Sequence, residues 1–121
     1  MPKKIAKYNG VKRILYAGIN SYRAIKHCLI NENAFRQELI CTLILIPIAL
    51  YLDIEKVERI LLIAAVLGIL IIELLNTAIE TAIDRIGFEY NELSRLAKDC
   101  GSAAVLVSLL LSVYIWLEVL L

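Results

Sequence analysis

Four polar side chains recur along one apolar stretch of this sequence: Glu73, Asn76, Glu80 and Asp84. Their offsets of 0, 3, 7 and 11 residues place them at about 0°, 300°, 340° and 20° around a helix, a stripe about 80° wide. Carboxylates inside an apolar helix cost several kcal/mol unless they are paired, hydrated or bound to a cation. Interhelical hydrogen bonds, or salt bridges to Arg85 or Lys98, would account for one such group. Two carboxylates and an amide on one face exceed what packing requires. Further charges flank apolar segments elsewhere: Glu32 and Glu38 before one, Lys98 and Asp99 at the start of another. Several carboxylates with an asparagine and a lysine suit a divalent metal holding a polyphosphate, because Mg²⁺ commonly takes one or two carboxylates plus phosphate oxygens. The same carboxylates could instead relay ions or protons. No GxxxxGK[ST], GxGxxG, HRD or DFG signature is present, so a soluble kinase fold is excluded. No Ser-His-Asp arrangement can be built either, and His27 lies in a segment that suits an interfacial role.

These residues need elements to hold them. Residues 1–30 are predicted as an amphipathic helix, since Val11, Leu15, Ile19, Tyr22, Ile25 and Leu29 are spaced 4, 4, 3, 3 and 4 and share a face. Lys12, Arg13, Arg23 and Lys26 lie off that stripe, which fits a helix lying on a membrane surface. Asn31-Glu32-Asn33 breaks the pattern and can cap a new helix. The stretch Leu39–Leu52 carries no charge, and with Ala34 and Phe35 gives a first span over 34–52, with a kink expected at Pro47. Asp53 is the expected cap of a second span over 57–86, which Gly87 ends. Phe88 to Leu93 forms a turn, and a third span covers 94–121. Its stretch Cys100–Leu117 is uncharged, with Trp116 at the depth of an interfacial aromatic.

The fold class is therefore an all-α membrane protein, a surface helix followed by three transmembrane helices. Of the 13 Lys and Arg residues, eight fall in residues 1–38, two in the first loop and three in the second. The positive-inside rule puts the N-terminus and second loop in the cytoplasm. The polar stripe, Glu32, Glu38, Lys98 and Asp99 then gather in the inner half of the membrane. So small a set of spans can hardly enclose a site alone, and an oligomer with sites shared between protomers is expected.

Composition agrees. With 121 residues, 60% apolar and 21% charged, the chain is too apolar for an ordinary soluble globule and too short for more than one domain. A net charge of +1 argues against nucleic acid as a partner. Cys28, Cys41 and Cys100 show no ligand spacing and are expected to be small packing residues rather than disulfide or zinc positions. No cleavable signal peptide is expected.

Three motifs resemble those of the bacterial integral-membrane diacylglycerol kinases: Ile30-Asn31-Glu32-Asn33-Ala34-Phe35-Arg36-Gln37-Glu38, then Glu73-Leu74-Leu75-Asn76-Thr77-Ala78-Ile79-Glu80 with Asp84-Arg85-Ile86-Gly87, then Ala97-Lys98-Asp99-Cys100-Gly101-Ser102-Ala103-Ala104-Val105-Leu106. The resemblance runs from about Arg13 onward, without an apparent gap. It implies a homotrimer in the bacterial inner membrane that moves the γ-phosphate of MgATP to diacylglycerol, giving phosphatidate. It implies Glu73 as general base, Glu32 and Glu80 as metal carboxylates, and Asn76 as a positioning group. It implies Lys98 at phosphate, Asp99 at the nucleotide, Glu38 in the wall of the site and Arg13 near the nucleotide phosphates. Asn20 and Asn91 depart from the family's usual Tyr and His, which affects the details of adenine contact. A related branch phosphorylates undecaprenol and carries a first motif closer to ERNFRIH; residues 32–38 favour diacylglycerol. A small ion or proton transporter is the alternative from another class.

Overall fold

A computed structural model of the chain describes residues 7–121. They form four helices: α1 (Gly10–Asn31), α2 (Asn33–Tyr51), α3 (Lys56–Ile86) and α4 (Glu92–Leu120). The chain divides into two compact units, one ending at Glu32 and one covering Asn33–Leu121.

In the first unit, the helix expected from residue 1 begins at Gly10, whose φ of 64° lies in the region that glycine tolerates best. The expected start falls on residues 1–6, outside the described residues. Val11, Leu15, Ile19, Tyr22 and Ile25 of the expected stripe are all exposed, as are Ile14 and Tyr16 beside it. The helix closes at Glu32, whose backbone N–H donates to the carbonyl of Cys28.

In the second unit, α2, α3 and α4 are each long and apolar enough to cross a membrane. The long helix α3 is central and packs against both α2 and α4. Helix α2 runs through Pro47 without a break. Its end is secured from α3, where Arg59 donates from Nε to the Ala49 carbonyl at 3.0 Å and from its terminal nitrogen to the Leu52 carbonyl at 2.7 Å. The last carbonyls of a helix have no partner within it, and a cation there also opposes the negative end of the helix dipole.

One expected cap is corrected, and one helix starts two residues early. Asp53 does not cap α3; Glu55 does, in a reciprocal capping box with Glu58, which satisfies two free N–H groups where a lone aspartate satisfies one. Helix α4 does not wait for Ser94. Asn91 Oδ1 accepts from the backbone N–H groups of Leu93 and Ser94 at 2.9 and 3.1 Å, so the helix begins at Glu92.

Helices α3 and α4 run antiparallel. Trp116 Nε1 donates to the Leu62 carbonyl at 3.2 Å near one end, and Lys98 pairs with Asp84 near the other. The core is small: Leu62, Val66 and Ile69 of α3 with Phe35 and Ala49 of α2 are its buried apolar residues. All three cysteines are free. Cys28 is buried, but Cys41 and Cys100 lie on outward faces, because so few helices leave most of their surface outside the chain's own core.

Candidate active site

Periodicity places the stripe of α3 on one face, and packing decides what that face meets. Glu73 is 6% exposed, one of the few charged or polar side chains buried within this chain. One turn on, Asn76 Nδ2 donates to Glu80 Oε1 at 3.3 Å. That bond spans four residues of one helix, the separation at which side chains on a helix meet. Asn76 Oδ1 is buried and accepts no hydrogen bond. Gly101 of α4 lies against it; a Cβ at position 101 would collide with Asn76 Oδ1 and come within 3.3 Å of its Cγ.

One further turn on, Asp84 Oδ1 accepts from Lys98 Nζ at 2.8 Å, with both side chains about two-fifths exposed. Lys98, expected at a phosphate, thus has a carboxylate partner within its own chain. At that degree of exposure such a pair contributes little net stability. Asp99 lies 3.9 Å from Arg95, and both are largely exposed. The structure therefore places Glu73, Asn76 and Glu80 along α3 and brings Lys98 of α4 to Asp84, while Asp99 faces Arg95 on its own helix. Glu38 is half-buried in the second turn of α2. Its backbone carbonyl accepts from Thr42 Oγ1 at 2.8 Å, which satisfies a buried hydroxyl.

Arg13 and Glu32 belong to the first unit. Arg13 lines a cleft of about 460 Å³ with Tyr8, Asn9, Tyr16 and Asn20. The rings of Tyr8 and Tyr16 stack with centroids 4.0 Å apart, and Lys12 Nζ lies 4.7 Å from the Tyr8 centroid. The hydrogen bond with Tyr16 holds the Tyr8 hydroxyl above the ordinary phenol range. Asn20 thus shares its cleft with two aromatic rings, while Asn91 serves as the cap of α4.

Among the described residues, no three acidic, histidine or cysteine groups converge on one point. The carboxylate of Glu80 has the chemistry of a hard-cation ligand that phosphate oxygens can complete, and Glu32, in the first unit, carries the same group. The sequence did not reveal Gly101. The run of small residues from Gly101 to Ala104 was the signal for a close helix approach, but nothing in it pointed to Asn76.

A family profile described as prokaryotic diacylglycerol kinase matches residues 19–120. The chain belongs to that family. It is 47% identical over 107 residues to a diacylglycerol kinase of Escherichia coli, covering 88% of each chain. With one from Pseudomonas aeruginosa it shares 42% over 120 residues, 99% of this chain and 98% of the relative. With one from Helicobacter pylori it shares 39% over 110 residues, 91% and 86% respectively. Glu32, Glu38, Glu73, Asn76, Glu80, Lys98 and Asp99 fall inside the span of the family profile, and Arg13 precedes it.

Proposed function

We propose that the protein is an ATP-dependent lipid kinase that transfers the γ-phosphate of MgATP to diacylglycerol, giving phosphatidate and ADP. It works as a homotrimer at the cytoplasmic face of the bacterial inner membrane. The observation that carries this reading is the buried Glu73, one turn from the bonded Asn76–Glu80 pair, on a spanning helix of a chain in this family.

Glu73 takes the proton from the lipid hydroxyl as its oxygen attacks the γ-phosphorus, and the bond from that phosphorus to the β,γ-bridging oxygen breaks to release ADP. Phosphoryl transfer asks mainly for positioning and charge neutralisation. Glu80 and Glu32 would hold Mg²⁺, which when bound neutralises phosphate charge. Asn76 fixes one oxygen of Glu80. Lys98 exchanges Asp84 for a phosphate oxygen, Asp99 and Arg13 hold the nucleotide, and Glu38 completes the wall of the site. Helix α1, lying on the membrane surface with its basic residues outward, keeps an amphiphilic acceptor at the depth where ATP arrives.

Self-association is supported by a groove of about 750 Å³ between α3 and α4, lined in part by Ala64, Ala65, Gly68, Ala103, Ala104 and Ser108. In lipid, helices associate through such small residues, which let backbones approach closely.

The deciding experiment supplies labelled ATP to purified protein with diacylglycerol or undecaprenol as acceptor. Labelled phosphatidate is the expected product. Preference for undecaprenol would overturn the acceptor, and ion flux in liposomes without lipid phosphorylation would overturn the reaction class.

A further inference from the structure

Gly101 is a residue whose contacts the proposed reaction does not use. It is buried in the third turn of α4, and the space where its side chain would stand is filled by the Asn76 carboxamide. The Asn76 oxygen pressed into that space is buried and accepts no hydrogen bond, although a buried unpaired carbonyl is unfavourable. Its nitrogen points the other way, to Glu80 Oε1. The oxygen is seated against α4 and the nitrogen is held by a carboxylate of the amide's own helix, so both helices bear on its orientation. The other neighbour of the missing Cβ, Ile79 Cδ1 at 3.7 Å, would be in ordinary van der Waals contact. The carboxamide is therefore the only one of these neighbours that a methyl group would force to move, and it has free torsions with which to do so.

We infer that Gly101 is a positioning residue: the missing Cβ of α4 locks the Asn76 amide so that its N–H₂ faces Glu80, and through that bond orients the Glu80 carboxylate for the metal. This rests on the kinase reading for its functional consequence, while the packing relation stands apart from it. A methyl at 101 swings the carboxamide out of its slot and frees the Glu80 oxygen, without requiring α3 and α4 to separate.

The test compares Gly101→Ala, Asn76→Ala, Glu80→Gln and the double variant Gly101→Ala/Asn76→Ala. In metal-free protein labelled at asparagine nitrogen, held in detergent micelles, the Asn76 side-chain amide signal (identified by its loss in Asn76→Ala) should move in Gly101→Ala and in Glu80→Gln. With substrates present, Gly101→Ala should raise the Mg²⁺ concentration needed for half-maximal activity. It should lower kcat by about 10-fold, the scale of one lost hydrogen bond, with KM for diacylglycerol unchanged. In the double variant it should add nothing to Asn76→Ala. An Asn76 signal that stays in place, or losses that add in the double variant, overturns the inference. Should Gly101→Ala fail to fold, the double variant decides: recovered folding supports a collision with Asn76, and continued misfolding overturns it. Absence of lipid phosphorylation by the unaltered protein would sink the kinase reading alone, because the amide signal is read without substrate.

Discussion

At the scale of single residues, Glu73 and Glu80 lie on one stripe but in different surroundings. Glu73 is buried, whereas Glu80 is half-buried and shares an oxygen with Asn76. Under the proposed reaction, Glu73→Gln keeps the shape of the side chain and removes the base, so turnover should fall by at least ~10²-fold. Initial rates on folded protein check this, and near-normal turnover would remove Glu73 from that role. Glu80→Gln should mainly raise the Mg²⁺ requirement; a titration with unchanged metal dependence would count against Glu80 as a ligand. The stripe itself was legible, because helical periodicity depends only on spacing along one helix. Its contacts were not. That Asp84 pairs with Lys98, and that Asn76 fits against Gly101, depends on the register between two helices, which no local spacing encodes.

At the scale of elements, hydropathy located the three helices long and apolar enough to span a membrane, and hydrogen bonding set their ends. Asp53 was the expected cap of α3 by residue type alone, and α4 was expected from residue 94. Glu55 with Glu58, and Asn91, start the helices in fact, since the choice among nearby polar residues rests on which side chain can reach free N–H groups. The clamp from Arg59 was invisible for a related reason: an arginine in the first turn of a helix gives no hint in the sequence that it folds back on the preceding helix. Arg59→Ala should leave two carbonyls at the end of α2 without this donor and destabilise the fold by on the order of 2 kcal/mol. Arg59→Lys should recover only part of that loss, because an ammonium lacks the planar fork. Unfolding in mixed detergent micelles measures both. Equal stability of Arg59→Ala and the unaltered protein would show that water satisfies the carbonyls equally well.

At the scale of the whole molecule, the second unit buries little of its own apolar surface. Ile44, Leu50, Leu61, Ile71, Leu106 and Leu110 are all more than two-fifths exposed, a pattern that suits lipid and neighbouring protomers as the remaining cover. The small-residue groove between α3 and α4 is where a second helix would approach most closely. Ala65→Leu should fill it, weaken the oligomer in crosslinking or sedimentation in detergent, and reduce activity in parallel if sites are shared between protomers. An intact, fully active oligomer in that variant would place the interface elsewhere. Composition alone showed a strongly apolar chain with a soluble protein's share of charge. The structure accounts for part of that charge as hydrogen-bonded or paired groups along the long apolar helix α3.

Trp116 is the single tryptophan of the chain, and its indole N–H donates to the backbone of the neighbouring helix at Leu62. Its emission is therefore a built-in optical gauge of whether α4 remains docked on α3. Loss of that bond should change the wavelength and polarisation of the fluorescence without any introduced label. Each substitution discussed above can then be sorted in the same cuvette into those that part the two helices and those that alter only the chemistry between them.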